Sequence, residues 1–128
     1  MTSAISNALS GAQVQTKRVA ASAHNVAAAT VTVPSDAAEQ EAGPLRVDPV
    51  SAVGGGARGQ TRFLAPGYLP TYDPGDPQAD AKGLVARPNV SLEQETVRQI
   101  EAQRAYEANL KVLQTGDAML GSLLDHSS

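Results

Sequence analysis

Between Ser3 and Ala29, apolar and small residues recur in alternating steps of four and three: Ile5, Leu9, Ala12, Thr16, Val19, Ala23 and Val26. This seven-residue repeat predicts one long helix with a narrow stripe, the spacing that keeps a seam facing a partner in a left-handed coiled coil. Most of the stripe is small or β-branched, so it allows close approach but buries little area per turn. Gly11 weakens the helix further, by roughly 1 kcal/mol relative to Ala. The partner this predicts is the C-terminal helix, in this chain or in a neighbour.

That second helix is predicted from Ser91 to about Leu124, roughly 50 Å long at a rise of about 1.5 Å per residue. Ser91 and Gln94 have capping-box spacing, Glu93 and Glu95 suit the positive end of the dipole, and no proline follows. In its first half Val97 and Ile100 lie among charges. The pairs Glu95–Arg98, Arg98–Glu101, Glu101–Arg104 and Glu107–Lys111 are read as exposed, each worth about 0.2–0.5 kcal/mol. The second half is more apolar, with one seam at Tyr106, Leu110, Leu113, Leu120 and Leu124 and an adjacent one at Val112, Met119 and Leu123. Two seams suit a helix that touches more than one neighbour. Asp117 interrupts the first seam, and Gly116 and Gly121 are expected to loosen the last turns.

Between the helices the periodicity disappears. Pro34, Pro44, Pro49, Pro66 and Pro70, with Gly43, Gly54, Gly55, Gly56, Gly59 and Gly67, exclude long helices over Val31–Pro70. Short strands are expected at Leu45–Val47, Thr61–Leu64 and Gly83–Ala86. Asp36–Ala42 reads as an exposed acidic loop, and the insert as irregular and β-rich with disordered parts. Tyr72-Asp73-Pro74-Gly75-Asp76-Pro77 cannot be helical, because each proline fixes φ, removes a donor and disfavours the α region for its predecessor. The fold class is therefore mainly α: an N-terminal helix over residues 1–30, a small irregular β/loop insert over 31–90 and a C-terminal helix over 91–128, the helices forming an α-helical coiled coil.

Composition sharpens this. The 128 residues suffice for one small domain, but one Phe, three Tyr and no Trp leave little aromatic mass for a core. A self-sufficient globule is not expected, and assembly with partner chains is. The net charge of −3, with no Lys/Arg cluster, argues against a general nucleic-acid binder. With no cysteine, disulfides and thiolate metal sites are excluded. No run approaches the ~20 apolar residues of a membrane span. No charge precedes Lys17, so the basic start of a cleaved secretory signal is missing.

Candidate chemistry is sparse. Gly54-Gly55-Gly56-Ala57-Arg58-Gly59-Gln60-Thr61 has the spacing of a phosphate loop, but Gln60 replaces the lysine, and Pro66 and Gly67 deny the following helix. Asp73, Asp76 and Asp80 lack EF-hand spacing and a closing Glu, so they read as turn carboxylates. His24 and His126 are the only histidines. No acid/base pair, nucleophile set, metal cluster or cofactor site emerges, and an enzyme is not expected.

One resemblance is specific. Tyr72-Asp73-Pro74-Gly75, Pro77, Ala79-Asp80-Ala81, Gly83, Val85 and Pro88-Asn89-Val90 continue into Glu95, Val97, Ile100, Arg104, Tyr106, Ala108-Asn109, Val112-Leu113 and Thr115. Together they resemble the flagellar axial proteins of rod and hook, most closely the FlgC-type proximal-rod proteins of the bacterial basal body. Tyr72–Val90 is particular to that type, whereas Gln103–Glu107 is shared across the axial family. Asn25-Val26-Ala27 and a nearby Thr resemble the family's N-terminal motif, whose second Asn falls at Ala28. Thr96 and Gln99 stand where the family usually carries methionines, which implies looser packing there.

The resemblance implies a structural subunit that polymerises through its terminal helices into a torque-transmitting shaft in the periplasm-spanning basal-body rod. It further implies type III export without signal cleavage. Other rod subunits and a base-plate adaptor would be partners, with neither nucleic acid nor direct membrane insertion involved. A distal-rod or hook-type protein is the nearest alternative, although those carry larger inserts. A soluble helical adaptor or export-chaperone-like module is the rival of a different class.

Overall fold

The computed structural model describes residues 2–127. Two helices, α1 (Thr2–Ala28) and α2 (Leu92–His126), enclose in sequence five strands: β1 (Val33–Pro34), β2 (Leu45–Ser51), β3 (Ala57–Phe63), β4 (Tyr68–Tyr72) and β5 (Leu84–Pro88). Ser91 caps α2 in extended conformation, its side chain accepting from the Gln94 N–H at 3.4 Å. The box is not reciprocal, because the Gln94 side chain accepts from Arg98 instead.

α1 and α2 pack antiparallel. Ile5 lies against Gly116, Gly11 against Asn109, and Ser22 against Gln99. On α2 the contact stripe is Glu95, Ala102, Asn109 and Gly116, with the seven-residue step carried by small and polar residues; all are buried except Asn109, which is half-buried. A Cβ at Gly116 would stand 2.9 Å from Ile5 Cγ1, so the missing side chain sets how closely the helices approach. Gly116 is therefore a packing contact rather than the loosening expected from its low propensity.

The stripe expected on α1 is displaced. Its buried residues are Ala8, Ala12, Val14, Ala21, Ser22 and Asn25, whereas Leu9, Val19 and Val26 are exposed. The reason is that α1 is covered on two sides, by α2 and by the β2–β3 hairpin, so its buried surface is not centred on the Ile5–Val26 seam. The hairpin is held by side chains of α1: Ser10 accepts from the Ala57 N–H, Lys17 donates to the Gly59 carbonyl, and Arg18 donates to the Val47 carbonyl.

The insert is more regular than expected. β2 and β3 form a continuous antiparallel ladder from Leu45↔Phe63 to Ser51↔Ala57, and the strand runs through Pro49. Two strands leave each with a free edge, where a proline without an N–H is tolerated. The glycine-rich stretch is the turn of this hairpin, with Gly54, Gly55 and Gly56 all at positive φ, open to residues without a Cβ. A second sheet, ordered β1-β5-β4, contains the unforeseen strand Tyr68–Tyr72, with Pro70 again on an edge. Val85 at its centre is fully buried.

Candidate assembly interface

A polar junction joins both helices to the insert. The Glu95 side chain is 0% exposed; its Oε1 accepts from Arg98 at 2.8 Å, Arg46 at 3.0 Å and Asn25 at 3.4 Å. Asn25 also brackets one residue of β2: its Oδ1 accepts from the Leu45 N–H at 2.7 Å, and its Nδ2 donates to the Leu45 carbonyl at 2.9 Å. Ser22 completes the link, donating to the Glu95 carbonyl and accepting from Gln99 at 3.1 Å. Glu95–Arg98, read from its i,i+3 spacing as an exposed pair, is thus a buried carboxylate meeting a partly exposed guanidinium. Glu95 Oε2 is the one buried side-chain N or O atom without a hydrogen-bond partner among the described residues. A buried carboxylate is costly unless paired, so α1, β2 and α2 are stable together only in the arrangement that brings Arg46, Arg98 and Asn25 to it. The junction orients the hairpin on the helix pair.

The turn-rich motif is a second self-bonded unit. Asp80 Oδ1 accepts from the N–H groups of Lys82 (2.8 Å) and Leu84 (3.0 Å), and Oδ2 accepts from the Ser35 hydroxyl at 2.8 Å. These bonds, with the Leu84 N–H first and the Ser35 hydroxyl next, hold the Asp80 carboxyl below its ordinary pKa. Asp73 pairs with Arg87 at 2.8 Å, and Asp76 accepts from the Gln78 N–H at 2.8 Å. Gly83, at φ +75°, admits the Tyr72 ring and Pro74, since a Cβ there would meet Tyr72 Cε2 at 2.8 Å. Asn89 ties the end of β5 back to the preceding loop, donating from its backbone to Gly67 O and from its side chain to Pro66 O. Gly75 and Pro74 lie in the exposed turn, and Pro88 pairs with Tyr68 in the ladder. Asp76 and Asp80 brace backbone N–H groups within the turn, and Asp73 pairs with the Arg87 guanidinium. Among the described residues no group of three or more His, Cys, Asp or Glu could hold a metal ion, and no helix is long and apolar enough to cross a membrane.

The large apolar residues lie mostly outside. Leu9, Val19, Val26, Val97, Ile100, Tyr106 and Leu120 are exposed, Ile5, Leu110 and Leu113 are half-buried, and Arg104 is exposed. The hydrophobic core consists instead of Ala8, Ala12, Val14, Ala21, Val47, Val85, Ala86 and Ala102. Thr96, at one departure from the family pattern, bonds back to the Leu92 carbonyl at 2.8 Å, and Gln99, at another, bridges to Ser22. The junction partners Arg46 and Ser22 escaped the sequence reading. The signal for Glu95 was its seven-residue step to Ala102, Asn109 and Gly116.

Comparison with known proteins gives a consistent picture. The profile described as "Flagellar basal body rod FlgEFG protein C-terminal" matches residues 81–125. A protein of Escherichia coli O6:H1 named flagellar basal-body rod protein FlgC is 37% identical over 112 residues, covering 83% of this chain and 82% of that protein. The protein of that name from Salmonella typhimurium shows the same identity and coverage, 37% over 112 residues. Its counterpart in Yersinia enterocolitica is 36% identical over 117 residues, covering 87% of this chain and 86% of that protein.

Proposed function

This chain belongs to the FlgC family of flagellar basal-body rod proteins, and from that premise we propose that it works as a structural subunit of the proximal rod, assembling through the apolar faces of its two helices. The observation that carries the assembly mechanism is the distribution of side-chain size. Small and polar residues, among them Gly11, Ser22, Ala102, Asn109 and Gly116, carry the contact between α1 and α2, while Val19, Val97, Ile100 and Tyr106 are exposed. Exposed apolar side chains at helical spacing on both long elements are surfaces for neighbours. The helices transmit torque, and the Glu95 junction keeps the hairpin in fixed orientation on them. Other rod subunits are the lateral and axial neighbours, the base-plate adaptor lies below, and delivery is through the type III export apparatus with the N-terminus uncleaved. The chain acts in the basal body without catalysis, cofactor or nucleic acid.

Complementation of a strain lacking its own copy tests this. Val97→Asp and Ile100→Asp place charges where the monomer is already open to water, so they should leave the circular dichroism of the isolated chain unchanged. On assembly those charges lose water without a partner, and swimming should be lost. Lys111→Ala, on exposed surface, should swim. Normal motility with both aspartates in place, or absence of the unmodified chain from purified basal bodies, would overturn the reading.

A further inference from the structure

Alternation along the β2–β3 ladder decides which backbone groups are free. The Leu64 N–H donates to the Pro44 carbonyl and the Ala52 N–H to the Gly56 carbonyl, so even-numbered residues bond across the hairpin. Odd-numbered ones point their N–H and C=O outward. α1 crosses the hairpin from the β3 edge at Ser10 to the β2 edge at Asn25 and takes outward groups on both: Asn25 and Arg18 hold Leu45 and Val47, and Ser10 and Lys17 hold Ala57 and Gly59. Farther along β2, Pro49 has no N–H to offer. On β3 the N–H and C=O of Thr61 and Phe63 have no partner among the described residues. That end of the edge carries neither proline nor bulge, the devices that blunt an exposed strand. Arg62, between them, is drawn across the hairpin to Asp48.

Phe63, 58% exposed, is also one wall of a cleft of about 560 Å³ between the loop after β1 and the second sheet. Leu64, Pro66 and Tyr68 line it too, and its only charged lining residues are Glu39 and Glu41. Neither carboxylate meets a cation among the described residues. We propose that the β3 edge at Thr61 and Phe63, together with this acidic cleft, binds an extended basic segment of a different protein, which joins the hairpin as a third strand. The edge requires extended backbone, since only that geometry meets N–H and C=O groups spaced two residues apart. The cleft requires a cation, since an incoming carboxylate would face Glu39 and Glu41 without compensation. The chain itself cannot supply such a segment. Lys17, Arg18, Arg98, Arg104 and Lys111 are on helices, Arg46, Arg58, Arg62 and Arg87 are in strands already paired, and Lys82 is in the turn bonded to Asp80. This surface lies apart from the helix faces invoked for rod assembly.

Titration of the full chain with short labelled peptides tests this, using fluorescence polarisation for affinity and amide exchange by NMR for place. The probe alternates Lys and Val; its controls carry Asp or Ser in place of Lys, or N-methyl groups on all backbone nitrogens. The Lys peptide should bind about tenfold more tightly than the Asp and N-methylated ones, and it should slow exchange at the Thr61 and Phe63 N–H groups. Glu39→Gln combined with Glu41→Gln, both on exposed surface, should erase the preference for Lys over Ser. Thr61→Pro gives β3 the blunt edge that Pro49 gives β2. It removes an N–H that the ladder does not use, so circular dichroism should be unchanged and peptide binding lost. Should that variant fail to fold, the N-methylated peptide makes the same distinction. Equal binding of plain and N-methylated peptides, equal binding of Lys and Asp peptides, or unaltered exchange at Thr61 and Phe63 would overturn the proposal. So would exchange already slowed there by self-association before any peptide is added. These readouts do not involve swimming or basal bodies, so their failure leaves the rod reading untouched, and failure of complementation leaves the peptide site untouched.

Discussion

Replacing Glu95 with Ala removes the one group that Arg46, Arg98 and Asn25 share. Deleting one partner of a buried ion pair costs about 3–5 kcal/mol because the other charge is left buried and uncompensated. Here the remaining guanidiniums are not sealed: the Arg46 and Arg98 side chains are 15% and 39% exposed. Both recover part of their hydration, which puts Glu95→Ala near the lower limit, about 3 kcal/mol. Arg46→Ala breaks a charge-assisted bond at a mostly buried site and should cost about 1.5–3 kcal/mol. Arg98→Ala removes a more solvated partner and should cost at most about 1 kcal/mol. Glu95→Gln keeps the shape and one acceptor but loses the charge, so it should fall between wild type and Glu95→Ala. Against a total stability of about 5–15 kcal/mol for a domain, the first of these is large. Urea unfolding followed by circular dichroism in dilute solution measures the series, with the slope checked for constancy. An Arg98→Ala variant as damaged as Glu95→Ala, or a Glu95→Ala variant within about 0.5 kcal/mol of wild type, refutes the view that this carboxylate organises the junction.

Gly116→Val should lower the melting temperature, since its Cβ alone would stand 2.9 Å from Ile5 Cγ1; the overpacking cost is about 1–3 kcal/mol, and Gly121→Val, where a Cβ meets nothing within 4 Å, serves as the contrast. Asp80 has a folded-state pKa depressed by the Leu84 N–H and the Ser35 hydroxyl. Its contribution is therefore fully present above the ordinary Asp value and is lost as pH falls below that value through the folded one. Asp80→Asn should flatten the acid limb of a stability–pH curve in that window, and an unchanged limb counts against the capping role.

Local signals were legible in the sequence wherever backbone chemistry decides. Ser91 marks the start of α2 because its side chain can take an N–H that the first turn leaves orphaned. The prolines and glycines from Tyr72 to Gly83 exclude helix regardless of surroundings. Strand limits were underestimated, since proline at Pro49 and Pro70 suggests interruption until the strand is known to be an edge. The contact face was not legible for a different reason. A search for large apolar residues finds Leu9, Val19, Val97 and Ile100, and those are exposed. The stripe that meets α1 is Glu95, Ala102, Asn109 and Gly116, where periodicity is carried by smallness and by polarity. The seven-residue step puts Glu95 on that stripe, but its buried pairing depends on Arg46, forty-nine residues earlier, returning to it.

This inversion of size between inside and outside follows from what two helices and a hairpin can bury. Burial of a Val, Leu, Ile, Phe or Met side chain contributes about 1.5–3 kcal/mol, and an alanine far less. The interior therefore draws little hydrophobic free energy, and the polar junction supplies geometry more than stability. Small residues at Ala102 and Gly116 nevertheless serve the arrangement, because they bring α1 close to α2 and leave the larger side chains on the outer faces. Larger residues in the contact would clash at the present spacing, as at Gly116, and push the helices apart, altering the spacing of every outer face. Under the proposed assembly, the hydrophobic gain withheld from the monomer would become available when neighbours cover Val19, Val97 and Ile100. On that proposal assembly and the final stability of each chain are one process, and a subunit removed from its neighbours would be the weaker state because of its surface rather than a defect of its core.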